Sequence, residues 1–147
     1  MSKQTTSLIK SLKGRDPDFI RRQPYIVWQY EGERTGHDLE WICLDSNYAG
    51  YDVLSHLSDA DDSPLPIEVK GSERRPKEAD FVITRNEVKA AQDSERYVIH
   101  LWFVSPNRQL FIVPFEVVAE HLPIDQLDGV WETTRIPFAP FAAFRKL

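Results

Sequence analysis

The stretch Pro66-Ile-Glu-Val-Lys-Gly-Ser72 places a carboxylate and an ammonium two residues apart inside a run that otherwise reads as a buried strand. Strand side chains alternate faces, so Ile67 and Val69 point one way while Glu68 and Lys70 point together the other way. A second strand-like run, Tyr51-Asp-Val-Leu-Ser55, lies a short loop upstream and brings Asp52. If the two strands pair, two carboxylates and an amine converge at one sheet edge. Like charges held close and buried cost several kcal/mol, at about that order. A hard divalent cation removes the penalty, and Mg²⁺ is usually held by one or two carboxylates with water and substrate phosphate. Asp52 and Glu68 are therefore the candidate ligands for Mg²⁺ or Mn²⁺. Lys70 beside them can hold an attacking water or stabilise charge on a phosphate. That chemistry is metal-assisted phosphodiester hydrolysis. The competing reading of the same residues is a cross-strand ion pair on a half-solvated face.

The elements that must position these residues follow from the pattern. Residues 23–38, Gln-Pro-Tyr-Ile-Val-Trp-Gln-Tyr-Glu-Gly-Glu-Arg-Thr-Gly-His-Asp, predict a helix with Pro24 in its first turn and Gly36 near its end. Leu39–Ser46, Tyr51–Ser55 and Ile67–Ser72 predict three strands. Phe81–Ile83 is a short extended piece. Thr84 followed by Glu87 is a capping-box pattern that opens a second helix. Two apolar runs, 96–105 and 109–114, flank Ser-Pro-Asn-Arg as a hairpin. Helix, three strands, helix and two strands predict an α/β domain on a mixed central sheet flanked by helices. Residues 1–22 read as a basic N-terminal extension and 23–147 as the folded domain.

Composition bounds the function. One domain with a real core is what 147 residues allow. A formal net charge of −5 argues against blanket coating of nucleic acid. Residues 1–36 nevertheless carry seven Lys or Arg against four Asp or Glu, so a basic arm on an acidic body can meet phosphate locally. Cys43 is the single cysteine, which suits a buried small hydrophobe in a reducing, cytoplasmic setting. No apolar run is long enough for a membrane span, and no apolar leader core is present. The four histidines, His37, His56, His100 and His121, match no metal spacing; His100 reads first as a satisfied core histidine, with the site side of the sheet as its alternative. Phe138, Phe141 and Phe144 recur every third residue and, with Trp131, are expected to cover the core or a dimer partner.

Four segments together carry a resemblance: Asn47-Tyr-Ala-Gly-Tyr-Asp-Val-Leu-Ser-His56, Pro66–Ser72, Phe81-Val-Ile-Thr-Arg-Asn-Glu-Val-Lys-Ala-Ala-Gln92 and Tyr97-Val-Ile-His-Leu-Trp-Phe-Val104. Over residues 25–115 the chain resembles the NO VEIN C-terminal domain family, whose fold is similar to the PD-(D/E)XK restriction-endonuclease-like nucleases. The resemblance implies that Asp52 is the nuclease aspartate and Glu68 and Lys70 the E-x-K pair. It implies that the helix after the core strands can add a polar residue, Gln92 or Glu87. Glu87 already has a structural task as the partner of Thr84. Arg74, Arg75 and Lys77, with Arg85 and Lys89 beyond them, lie where such a domain meets a nucleic-acid backbone. Catalytic members commonly carry a glutamate on the helix before the first strand, whereas here the matching place near Gln23–Ile26 has no acid.

Two functions are therefore expected. One is a Mg²⁺-dependent nuclease-fold domain acting on DNA, a PD-(D/E)XK-type phosphodiesterase or endonuclease with catalytic residues Asp52, Glu68, Lys70 and Gln92. By analogy of fold it belongs to restriction or phage defence. The other is a nuclease-fold module that no longer cleaves and serves binding or assembly. The expected partners are DNA and a second copy of the chain, or a larger defence or helicase complex.

Overall fold

A computed structural model describes residues 17–42, 49–103, 107–125 and 129–147. The chain runs α1 (Pro17–Thr35), β1 (Glu40–Trp41), β2 (Val53–His56), β3 (Pro64–Ser72), β4 (Asp80–Thr84), α2 (Arg85–Gln92), β5 (Val98–Phe103), β6 (Gln109–Pro114), α3 (Phe115–Ala119), β7 (Thr133–Pro137) and a 3-10 helix (Ala139–Phe144). Among these residues no helix is long and apolar enough to cross a membrane.

Five strands form one sheet in the order β1-β2-β3-β5-β6. The first three are antiparallel neighbours. The connection through β4 and α2 then returns β5 parallel to β3, and β6 folds back antiparallel on β5. A parallel pair needs a crossover of this length. The expected α/β architecture, a mixed central sheet flanked by helices, is the one the chain adopts. The aspartate expected at the site, Asp52, immediately precedes β2, and the E-x-K pair lies on the neighbouring strand β3.

Register decides which residues share a face. Val53 pairs with Ile67, Ile67 with Val98, and Val69 with His100. These residues face α1, where Ile26, Val27, Leu39, Val53, Leu65, Ile67, Trp102 and Leu110 form one core. Glu68 pairs with Ile99 and Lys70 with Leu101, on the other face. There Ile99, Leu101 and Phe103 pack with Val88, Ala91, Phe111 and Val113 in a second core. Each such fully buried aliphatic or aromatic side chain contributes about 1.5–3 kcal/mol. Glu68 and Lys70 thus stand on the face that α2 covers.

Several expectations change in detail. Helix α1 begins at Pro17, ahead of Gln23, and so runs across residues 22 and 23. It ends at Gly36, whose φ of +71° is open to glycine, and whose N–H bonds back to Gly32 O at 2.8 Å. Of the strand expected over Leu39–Ser46, Glu40 and Trp41 pair with β2 and the Ile42 N–H donates to Asp52 O, while residues 43–46, Cys43 among them, lie outside the described residues. The piece Phe81–Ile83 is not a lone extended segment. It belongs to β4, which pairs antiparallel with β7 in a separate two-stranded sheet. The aromatic tail after β7 is core: Phe138 and Phe141 are fully buried, and Phe144 and Trp131 pack against them.

Candidate functional site

Asp52 immediately precedes β2, and its backbone continues the ladder, since its N–H donates to Ile67 O and its carbonyl accepts from Ile42 N–H, both at 2.9 Å. The turn before it is fixed from two sides. Gly50 has φ +76°, and a Cβ there would meet Ala90 Cβ at 2.6 Å and Asn86 O at 2.7 Å on α2. The buried Tyr97 hydroxyl donates to Gly50 O at 2.5 Å. Only glycine allows that approach of backbone to helix. The outcome is that Asp52 Oδ2 accepts the Val69 N–H at 2.8 Å. An acidic side chain from one strand is thereby pinned to the backbone between Glu68 and Lys70.

Lys70 Nζ lies 3.0 Å from Glu68 Oε1 and 2.7 Å from Glu87 Oε1. Glu87 divides its two oxygens. Oε1 takes the Lys70 ammonium, while Oε2 accepts the Thr84 N–H at 2.7 Å, and Thr84 Oγ1 accepts the Glu87 N–H at 3.2 Å to complete the capping box. The structural task and the place in the charged cluster therefore coexist in one side chain.

Burial sets the electrostatics. Glu68 is 6% exposed. Burial, and then the neighbouring Asp52 carboxylate, push its pKa well above the ordinary range. Burial also raises Asp52, although the Val69 N–H and the Lys70 ammonium work against it. Burial alone would lower Lys70, but Glu68 and Glu87 outweigh it and its pKa is raised. Burial works to raise Glu87 as well, yet hydrogen bonding with Glu68 and the Lys70 charge hold it below its usual value. The ammonium of Lys70 is firmly charged, Glu87 is its ionised partner, and Glu68 is the carboxyl that holds a proton most readily.

The remaining residues singled out in the sequence sit elsewhere. Gln92 is the last residue of α2 and is exposed, outside the contacts that join Glu68, Lys70 and Glu87. Arg74, Arg75 and Lys77 are exposed on the loop between β3 and β4. Arg85 is engaged: it pairs with Asp125 at 2.5 Å, donates to Trp131 O at 2.8 Å, and stands 4.2 Å over the Trp131 ring. His100 does not face the site side. It pairs with Val69, fully buried on the α1 face. Glu31 on α1 is also fully buried and pairs with Arg34; the charges acting most on Asp52 and Glu68 come from each other, Lys70 and Glu87.

Carboxylate oxygens are the donors a hard cation takes, and burial raises the pKa of both Asp52 and Glu68, a cost of burying their charge that a cation would relieve. The donor chemistry of Asp52 and Glu68 fits Mg²⁺ or Mn²⁺ on that ground. Among the described residues no group of three or more His, Cys, Asp or Glu is disposed to hold a metal ion. An ion at this place would need water or phosphate oxygens to complete its shell.

Comparison with known proteins gives three findings. Residues 25–113 match the family model described as Protein NO VEIN, C-terminal. No curated protein matches the chain. Among solved structures, the Holliday junction resolvase Hjc of Archaeoglobus fulgidus is similar at 14% identity and a TM-score of 0.47, over 80% of this chain and 88% of that one.

Proposed function

The chain belongs to the family of the NO VEIN protein's C-terminal domain, and from the site it carries we propose that it is a nuclease-fold domain acting on DNA phosphodiesters with Mg²⁺ or Mn²⁺. The observation that carries this reading is the union of Asp52, Glu68 and Lys70 on one sheet face, with Asp52 anchored 2.8 Å from the Val69 amide and Lys70 3.0 Å from Glu68. Asp52 and Glu68 would hold the ion. When bound, it supplies Lewis acidity toward a phosphate oxygen and a water of lowered pKa. Asp52, fixed by the Val69 N–H, offers a carboxylate that needs no reorganisation. Lys70 presents a preorganised positive charge to the developing charge of the phosphate. Glu87 keeps that ammonium in place and ionised. Arg74, Arg75 and Lys77, exposed on the adjoining loop, would meet the DNA backbone. Restriction or phage defence is the setting this activity would serve.

One observation favours the second reading, a module that binds or assembles without cleaving. The Lys70 ammonium already lies between Glu68 and Glu87 and neutralises them, as a cation would. Calorimetric titration with Mn²⁺, followed by incubation with plasmid and single-stranded DNA, separates the two. The nuclease reading expects one site that is lost in Glu68→Ala, together with Mn²⁺-dependent cleavage lost in Glu68→Ala and Lys70→Ala. No ion uptake and no cleavage of either substrate would leave the assembly module.

A further inference from the structure

Tyr97 immediately precedes β5, 47 residues after Gly50, and its hydroxyl donates to Gly50 O at 2.5 Å. Its ring meets the next residue of the same turn, standing edge-on to Tyr51 with centroids 6.5 Å apart. One side chain thus grips both residues that lead into Asp52. The grip is firm at its own end. The Tyr97 carbonyl accepts the Phe115 N–H at 3.0 Å, and the Phe115 ring stands edge-on to the Tyr97 ring at 6.0 Å. Ala90 and Asn86 of α2 close on Gly50 so tightly that no Cβ fits there. Helix α2 and the phenol therefore both hold this turn. We propose that Tyr97 is a positioning residue of the Asp52–Glu68–Lys70 site, whose hydroxyl, acting through the Gly50 carbonyl, aims the Asp52 carboxylate at the Val69 amide.

A direct role is closed to Tyr97. It is 2% exposed, too deep to meet a phosphate. Its hydroxyl has one proton, and Gly50 O takes it, so none is left to donate to a carboxylate. Nor is that proton lost near neutral pH. Burial, and then the charges of Glu68, Glu87 and Asp52, hold the phenol far above its usual range. Those three acids are the site's own, so the ring lies close behind it. What a phenylalanine could not supply here is the donor. Gly50 is buried, and a buried carbonyl stripped of its donor is costly enough for the turn to move toward another. The Asp52 backbone is held at both groups, by Ile67 O and by the Ile42 N–H at 2.9 Å. The freedom left to Asp52 is the direction of its side chain, which the 2.8 Å bond from the Val69 N–H reports.

An effect on ion uptake rests on the reading of Asp52 and Glu68 as ligands. The aim of Asp52 does not, and the Val69 amide reports it without metal. The full ¹⁵N-labelled chain would be compared as wild type, Tyr97→Phe, Phe115→Leu and Leu110→Val, first without metal by amide spectra and thermal melts, then with Mn²⁺ by calorimetry. Tyr97→Phe keeps the ring and removes the hydroxyl. Its Val69 amide proton should move upfield as the bond from Asp52 weakens, and its Mn²⁺ affinity should fall by about tenfold or more, the scale for groups that orient a metal ligand. Leu110→Val trims a buried residue of the core beneath α1 and should lower the melting temperature while leaving both readouts as in wild type. If Tyr97→Phe does not fold, Phe115→Leu, which loosens the Tyr97 ring but keeps its hydroxyl, should move the Val69 amide the same way. A Val69 amide that stays in place in a folded Tyr97→Phe, or in Phe115→Leu when that variant stands in, makes Tyr97 a packing residue only and overturns the proposal. A Val69 amide that moves while Mn²⁺ uptake is absent or unchanged upholds the role of Tyr97 and sinks Asp52 as an ion ligand instead.

Discussion

Lys70 Nζ and Glu87 Oε1 meet at 2.7 Å, across the gap between strand β3 and the first turn of helix α2. The contact ties the charged face of the sheet to the helix that covers it. Because Glu87 uses its other oxygen to cap α2, any shift of that helix start moves the Lys70 charge as well.

Replacing Glu87 with Gln separates the two tasks. Gln serves in a capping box, so Glu87→Gln should cost under about 1 kcal/mol of stability. It removes the ionised partner of Lys70, so any Mn²⁺-dependent cleavage should fall by about tenfold or more. Thr84→Ala should do the reverse, costing about 1 kcal/mol through the lost cap while leaving Lys70 paired. Denaturant melts beside cleavage rates decide it. If both variants change the two readouts in the same proportion, Glu87 acts only through the helix.

Asp52 carries a structural load that the metal reading alone does not predict. Its carboxylate is the acceptor for the Val69 N–H. Asp52→Ala leaves a half-buried amide without that partner and should cost about 1–3 kcal/mol. Asp52→Asn keeps an acceptor oxygen and should cost clearly less. Ion uptake should be lost in both, since a neutral amide is a poor ligand for a hard cation. Equal melting temperatures for the two variants would show that the Asp52–Val69 bond adds nothing.

How much of this was legible depends on distance along the chain. The alternation of Ile67, Glu68, Val69 and Lys70 fixes which pairs share a face from four residues alone, because strand periodicity is local. The capping role of Glu87 follows from Thr84 three positions earlier. Its ion pair with Lys70 spans 17 residues and needed the crossover geometry. The face of His100 turned on the register of β5 against β3, and a slip of one residue would reverse it. Strand β7 escaped because Thr133–Pro137 has weak alternation of its own; pairing with β4 makes it a strand. Pro24 reads as a first-turn proline, which puts the expected start of α1 too late, whereas Pro17 opens the helix.

Gly50 is the backbone hinge of the site. Gly50→Ala must place a Cβ 2.6 Å from Ala90 Cβ, in a conformation that L residues avoid. Relief requires the turn to leave α2, which would also break the Tyr97–Gly50 bond. A destabilisation of about 2 kcal/mol or more is expected, with Asp52 displaced and ion uptake weakened. An alanine variant that melts with the wild type would show that the turn has room.

His100 gives the protein a pH dependence of known sign. Burial, aided by the Arg34 charge, lowers its pKa from 6.5 to about 3 in the fold, where it lies among Tyr30, Trp102 and the paired Glu31 and Arg34. A depressed pKa means that the unfolded chain takes the proton first. The stability it contributes is complete above about pH 6.5 and is lost as pH falls toward 3, at up to about 1.4 kcal/mol per pH unit. His100→Leu lacks this loss, so the variant should gain on the wild type steadily between pH 6.5 and 4. Melts across that range that keep a constant gap would sink the assignment.

The last prediction concerns where DNA would be held. Arg74, Arg75 and Lys77 are exposed on one loop after the E-x-K strand, and their side chains carry no ion pair among the described residues. Arg85 is instead held by Asp125 and the Trp131 ring. Replacing Arg74, Arg75 and Lys77 together with Ala should leave the melting temperature unchanged, weaken DNA binding whatever the sequence, and flatten its dependence on salt, because each lost phosphate contact lowers the slope by about one counterion. Arg85→Ala should show the opposite pattern: a lower melting temperature from the lost cation–π and hydrogen-bond contacts, and little change in salt slope. Binding isotherms at several salt concentrations, set beside thermal melts, test both at once. A triple variant whose salt slope equals that of the wild type would move the DNA-facing surface away from this loop, and the basic N-terminal arm would be the next to test.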